Sequence, residues 1–193
     1  MMKEMQEQPA AVADTIHPRV CGEEIVIEEL KMSDEEIRKV KKLHIAACGS
    51  AYHAGVAGKY ILEGMADIPV EVDLASEFRY RDPILEEDTM VMVISQSGET
   101  ADALAAQYLL AMKFAKVRGR LSEMQQKQMI ADLYQLPVLI EELLNHKNRI
   151  QKFANQTCFS PDPLQLFRCS CSVTILQWEK AAMWTNREIW QNP

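Results

Sequence analysis

The polarity of the chain changes period several times along its length. Leu43-His44-Ile45-Ala46-Ala47 is a short apolar run that stops at Cys48-Gly49-Ser50, the mark of a buried strand closed by a tight turn. Val56, Tyr60, Ile61 and Met65 then recur at helical spacing and predict a helix over residues 51–65. Val70-Glu71-Val72-Asp73-Leu74 alternates as a strand with one apolar face. Met90-Val91-Met92-Val93-Ile94 is apolar throughout and predicts a strand buried on both faces. Its turn is Ser95-Gln96-Ser97-Gly98, and a helix follows from about Glu99. Strand, helix, strand, then a further strand and helix is the beginning of a parallel α/β sheet.

Outside this block the pattern is helical and then irregular. Residues 3–17 read as a helix with Pro9 in its first turn. Ser33 and Glu36 form a capping-box signature for a helix running to about Lys42. From Ala101 to Phe153 the period is helical. Leu104, Tyr108, Leu109, Met112 and Ala115 make one stripe, and Pro137 is placed near the start of a further helix with Leu139, Ile140, Leu143, Leu144 and Ile150. Beyond Gln156 the character changes: Pro161, Pro163 and three of the five Cys fall in a stretch with no clean period. Glu179–Trp190 is a weak helix candidate, and Trp178, Trp184 and Trp190, six apart, suit no single helix face.

Composition narrows the function. The chain has 193 residues and a net charge of −7, from 28 acidic and 21 basic side chains, which argues against a general nucleic-acid binder. No apolar run is long enough for a membrane span, and the N-terminus lacks the apolar core of a secretory signal. An odd count of five Cys fits a reducing compartment, so a cytoplasmic location is expected. Cys169-Ser170-Cys171 is a poor zinc pair, and His17, His44, His53 and His146 are dispersed, so neither a metal site nor a cofactor is expected.

Two strand-to-helix turns carry the candidate chemistry. Ser95-Gln96-Ser97-Gly98-Glu99-Thr100 leads into a helix N-terminus, where free N–H groups favour an anion. Ser95, Ser97 and Thr100 add hydroxyls and Gln96 an amide, while Gly98 permits close backbone approach. No Lys or Arg is present, which excludes a Walker loop and suits a sugar phosphate better than a nucleotide triphosphate. A hydroxyl-capped helix with no ligand is the alternative. Cys48-Gly49-Ser50 is the second turn, and in a doubly wound sheet the two would flank one crevice. Cys48 has no base beside it in sequence and is expected as a buried small residue rather than a nucleophile.

Three motifs in order, Ala47-Cys48-Gly49-Ser50-Ala51-Tyr52-His53-Ala54-Gly55, Ala75-Ser76-Glu77-Phe78-Arg79-Tyr80-Arg81 and Ser95-Gln96-Ser97-Gly98-Glu99-Thr100-Ala101-Asp102, resemble the first sugar-isomerase (SIS) domain of the glucosamine-6-phosphate synthase family. These are the glutamine–fructose-6-phosphate aminotransferases (isomerising). Lys3–Ile16 resembles the segment preceding that domain, and residues 108–156 resemble the helices that close it. The resemblance covers about residues 3–156 and implies an α/β fold: a partial SIS-type, flavodoxin-like parallel sheet with about three strands, flanked by helices, and a helical C-terminal half. The implied division is 1–42 as a helical lead-in, 43–106 as the partial SIS domain, 107–156 as closing helices, and 157–193 as an unrelated or disordered tail. In the family a further strand–helix–strand stretch precedes the helix containing Tyr108; here Ala106 runs straight into Gln107.

The resemblance implies that Ser50, Ser95, Gln96, Ser97 and Thr100 hold the phosphate of fructose 6-phosphate or glucosamine 6-phosphate. Arg79 and Arg81 are expected as structural ion-pair or interface residues, and Glu99 as a stabiliser of its own helix. The chain opens Met1-Met2-Lys3, not on the catalytic Cys of the family's glutaminase domain, and residues 157–193 do not resemble the second SIS domain, so no catalytic residue is assigned. Three functions follow as expectations: a shortened family member inactive alone, a non-catalytic sugar-phosphate-binding module, or a non-functional gene fragment. Homodimerisation, or pairing with a full-length copy, is compatible with the family.

Overall fold

A computed structural model describes residues 2–95 and 100–145. The tail at 157–193, with its three Cys and three Trp, lies outside the described residues, as do Gln96, Ser97 and Glu99.

Three parallel strands, β3 (Lys42–Ala47), β4 (Val70–Leu74) and β5 (Thr89–Ile94), form a sheet in the order β4-β3-β5. β3 is central, in register from Leu43 opposite Val70 to Ala47 opposite Leu74 on one side, and from Lys42 opposite Thr89 to Ala47 opposite Ile94 on the other. The connections obey the rule for parallel crossovers. β3 reaches β4 through α3 (Ser50–Ala66) and β4 reaches β5 through α4 (Ala75–Tyr80). These steps run in opposite directions across β3, so right-handed connections must place their helices on opposite faces. They do: α3 packs on the Ile45 and Val72 side, and Phe78 of α4 stacks 4.9 Å from the His44 ring on the other.

Close packing of α3 relies on its glycines. A Cβ on Gly55 would lie 3.0 Å from Ile45 Cγ2, and one on Gly58 would lie 1.7 Å from Gln107 Oε1 of α5 (Thr100–Val117). Leu110, Ala111 and Phe114 of α5 join Leu43, Ile45, Leu62, Ile68 and Val70 in the core under the sheet. Ala105, Leu109 and Met112 on its other side join a second cluster with Val12 and Ile16 of α1 (Met2–Ile16) and Met129, Ile130 and Leu133 of α6 (Glu123–Asn145). Its burial on two sides explains its nearly all-round apolar sequence. A two-residue hairpin, β1 (Val20–Cys21) with β2 (Glu24–Ile25), turns at Gly22 and contributes Val20 and Ile25 to the second cluster.

Several sequence expectations are corrected. Met90, Met92 and Ile94 pack against the core, but Val91 and Val93 are 37% and 65% exposed, so β5 is buried on one face only. The short connection through α4 covers His44 and leaves the Val91–Val93 side open among the described residues. Pro9 lies inside α1 and Pro137 inside α6, rather than in first turns. α6 starts earlier because Ser122 and Gln125 form their own reciprocal cap: Ser122 N donates to Gln125 Oε1 (3.1 Å) and Gln125 N to Ser122 Oγ (3.3 Å). The Ser33 capping box is present, and its hydrogen bonds hold the Glu36 carboxyl below its ordinary range. That helix, α2 (Asp34–Lys39), ends before Val40. Arg118 donates to Val40 O (2.9 Å) and Arg38 to Val117 O (3.2 Å), tying the end of α2 to the end of α5. α5 runs unbroken through Ala106 and Gln107, as the sequence expectation has it.

Tyr108 of α5 supplies a pH-dependent term. Burial, followed by the Asp132 charge, pushes its phenol up from 10.0 to about 12. The folded state then keeps a proton that the unfolded chain loses near pH 10, so this stabilisation is whole below pH 10 and is lost as pH rises through about 12. Linkage puts the loss at about 1.4 kcal/mol by pH 11. Urea melts at pH 9 and pH 11 should show it, and Tyr108→Phe should remove that part of the alkaline loss.

Candidate functional site

The two candidate turns lie side by side. β3 and β5 are paired to their last residues, Ala47 opposite Ile94, and neighbouring strands are about 4.8 Å apart. The chain therefore leaves the carboxyl ends of adjacent strands at Cys48 and at Ser95. One turn enters α3 at Ser50 and the other enters α5 at Thr100. Two long, mutually packed helices thus begin at one edge of the sheet, the end at which open α/β sheets bind ligands.

The first turn is open. Gly49 has φ 61° and ψ −136° and occupies the N-cap position of α3, and no side chain caps the helix. A Cβ there would meet nothing within 4 Å. Glycine is required by conformation rather than by crowding. Cys48, Gly49 and Ser50 are exposed, while Ala51 and Ala54 face the core. Cys48 is therefore not the buried residue expected from sequence, because β3 ends at Ala47 and the turn lifts the next side chain into solvent. Gly49→Val is expected to cost about 1–3 kcal/mol through backbone strain alone. A chemical melt would check this, and a neutral result would show that the turn does not hold this conformation.

Of the sequence-assigned phosphate residues, Ser50 and Ser95 are exposed at the two adjacent strand ends, and Thr100 opens α5. Gln96 and Ser97 lie outside the described residues. Tyr52 and His53 fall in the first turn of α3, their rings 5.7 Å apart and edge-on.

Arg81 makes an ion pair, as the sequence expectation has it for both arginines. Its guanidinium donates to Asp73 Oδ2, which also meets His44 Nε2 at 2.7 Å. Arg79 lies 5.7 Å from the Tyr80 ring centre. Sequence reasoning missed the rest of this network. His44 is 2% exposed, with Nδ1 3.5 Å from Glu71, and Lys42 pairs with Glu71 at 3.0 Å. The Lys42 hydrogen bond holds the Glu71 carboxyl below its ordinary range. The available signal was the period of two: Lys42 and His44 share one face of β3, and Glu71 and Asp73 share the same face of β4 in register. This cluster fastens α4 to the sheet.

A recess at the opposite, amino end of the sheet is lined by Met32, Glu36, Arg38, Lys41, Asp88 and Thr89, among others. Its charges are largely spent on each other: Lys41 lies 2.6 Å from Asp88, which holds the Asp88 carboxyl below its ordinary range. Among the described residues no group of three or more His, Cys, Asp and Glu could hold a metal, and no helix is long and apolar enough to cross a membrane.

Comparison with known proteins agrees with the geometry. Residues 36–128 match the SIS domain family. The chain is 37% identical over 209 residues to glutamine–fructose-6-phosphate aminotransferase (isomerizing) of Caldanaerobacter subterraneus subsp. tengcongensis, covering 81% of this chain and 34% of the relative. It is 36% identical over 221 residues to that of Clostridium acetobutylicum, covering 87% of this chain and 36% of the relative. It is 56% identical over 106 residues to that of Mycobacterium tuberculosis, covering 55% of this chain and 17% of the relative. The solved C-terminal domain of glucosamine-fructose-6-phosphate aminotransferase from Francisella tularensis superposes with a TM-score of 0.71 at 25% identity, covering 83% of this chain and 59% of that one. The chain spans about a third of the length of the first two relatives.

The three-stranded parallel sheet and its two adjoining turns are those of a SIS domain. It is a partial SIS domain, similar in sequence and fold to the glutamine–fructose-6-phosphate aminotransferases.

Proposed function

We propose that this chain binds a sugar phosphate, fructose 6-phosphate or glucosamine 6-phosphate, and does not by itself convert one into the other. The observation that carries the reading is the adjacency of the two turns: the in-register ends of β3 and β5 bring Ser50 and Ser95 to one edge. A phosphate there meets the N-terminus of α3, whose first N–H groups no side chain caps, and the N-terminus of α5. Ser50, Ser95, Gln96, Ser97 and Thr100 supply the hydroxyl and amide donors in this reading, and the exposed Gly49 leaves room above the turn.

The absence of turnover is proposed from internal shortening. The alignment to the Caldanaerobacter relative runs over 209 residues but uses 81% of this 193-residue chain, about 156 residues, so about fifty positions of the relative face a gap. That number suits the strand–helix–strand stretch expected between Ala106 and Gln107, and the unbroken α5 across that join supports the same reading.

A thermal-shift titration tests the binding. Glucosamine 6-phosphate at about a hundred times its dissociation constant should stabilise the fold by about 2.7 kcal/mol. No shift at millimolar ligand would sink the reading and favour a gene fragment without function. Formation of glucosamine 6-phosphate from the purified chain, glutamine and fructose 6-phosphate would overturn the absence of turnover.

A further inference from the structure

We propose that residues 75–87, α4 and the loop that follows it, form a strap that lifts from the sheet as one piece while the rest of the fold stays closed, and that the contacts of His44, Asp73 and Arg81 are its latch. The inference does not rest on the sugar-phosphate reading.

The two faces of the sheet differ in what an opening exposes. Gly55 of α3 faces Ile45 and Val72, so the period of two puts Leu43, Ile45, Val70 and Val72 on the α3 side. These side chains belong to the apolar core with Leu62 and Phe114. Lys42 and His44 of β3, with Glu71 and Asp73 of β4, take the opposite face, on which α4 packs. Baring the first face would put apolar surface in water. Baring the second lets water solvate charged and polar groups, at far lower cost.

The strap has little apolar hold on the rest of the molecule. No residue from 75 to 88 is buried or belongs to either core cluster, and Tyr80 and Ile84 are 82% and 95% exposed. It is held at a few points instead. Phe78 lies against the His44 ring, centres 4.9 Å apart. Asp73 Oδ2 accepts from Arg81 and meets His44 Nε2 at 2.7 Å, which ties Arg81 to the two strands beneath it. At the far end Lys41 N donates to Asp88 O at 3.0 Å and Lys41 Nζ lies 2.6 Å from Asp88, so the chain is anchored again where β5 begins. Segments with few buried apolar contacts open for a fraction of the global unfolding free energy.

The closed strap also holds two unfavourable features that opening removes. Asp82 is in the left-handed region at φ 51°, directly before Pro83, where a side-chain-bearing residue is strained. His44 is 2% exposed, and its Nδ1, 3.5 Å from Glu71, completes no hydrogen bond. Water reaches that nitrogen once α4 lifts.

Labelling of the full chain with diethyl pyrocarbonate, read by mass spectrometry, tests the proposal, because the reagent reaches the His44 ring only when the strap is open. His17 and His53 are exposed and serve as references. His44 should be labelled in the folded chain at a rate that low urea leaves unchanged, whereas deuterium exchange at 43–47 should accelerate with urea, as global unfolding requires. Arg81→Gln should raise the His44 rate about three- to tenfold, with the references and the exchange of β3 unchanged. Arg120→Gln, which removes an ion pair with Asp67 outside the strap, should leave the rate at the parent value. Should Arg81→Gln not fold, the urea dependence in the parent chain decides. Labelling of His44 only in step with global unfolding, an Arg81→Gln rate equal to the parent's, or one that rises together with β3 exchange would each overturn the proposal.

Discussion

Phe114→Ala is expected to remove about 3–5 kcal/mol of unfolding free energy and to lower Tm by more than about 10 °C. Phe114 is fully buried and sits in the core with Ile37, Val40, Leu43, Ile45, Leu62 and Val70, where α5 meets α2, α3 and the sheet. The loss lies toward the upper end of that range because the surroundings have little freedom to close the void. α5 is held on its other side by Leu109 and Met112 in the second cluster. The hydrogen bonds of Arg118 to Val40 O and of Arg38 to Val117 O pin it within one turn of residue 114. A domain is stable by about 5–15 kcal/mol, so this one side chain accounts for a large share. Urea unfolding measures it, with Val138→Ala, at 57% exposure, as a control expected within about 0.5 kcal/mol of the parent. A loss under about 1 kcal/mol for Phe114→Ala would mean that α5 does not pack on the sheet. The site would suffer as well, because α5 carries Thr100 to the edge of the sheet.

Ser95→Asp should weaken glucosamine 6-phosphate binding by more than about a hundredfold, and Ser95→Ala by about ten- to a hundredfold. In the proposed complex the Ser95 hydroxyl donates to a phosphate oxygen, and a hydrogen bond to a charged group is worth about 1.5–3 kcal/mol. A carboxylate there both removes the donor and sets a negative charge against the dianion at short range. Ser95 is exposed at the end of β5, so both variants should keep the parent's melt to within about 0.5 kcal/mol. Binding and stability are thereby separated, as they are not for Gly49→Val. Titration calorimetry reads the affinity directly. Retention of parent affinity in Ser95→Asp would place the phosphate somewhere other than between these turns.

The strands were legible because each has its own period: a near-continuous run for central β3, alternation for β4. Ser33 with Glu36 marks the start of α2 by a local hydrogen-bond pattern, and local chemistry is what sequence spacing encodes. The equivalent signal at Ser122 and Gln125 is equally local and starts α6 well before Pro137. β5 misled for a different reason. An apolar run records what a strand tolerates, whereas burial depends on which neighbours arrive, and no helix among the described residues covers Val91 and Val93.

By itself the sequence determined the parallel α/β class, the two small-residue turns and the expectation that an anion suits them, because those depend on residues a few positions apart. Only the tertiary structure decided that the turns are neighbours, through the pairing of Ala47 with Ile94 across 47 positions of chain. It alone showed that Gly49 is required by conformation, that Gly58 lies against the buried Gln107 side chain of α5, and that Asp73 serves both Arg81 and His44. The physical reason is common to all of these. Local spacing sets backbone preference, but contacts between distant segments are set by packing and strand register, which no short window of sequence contains.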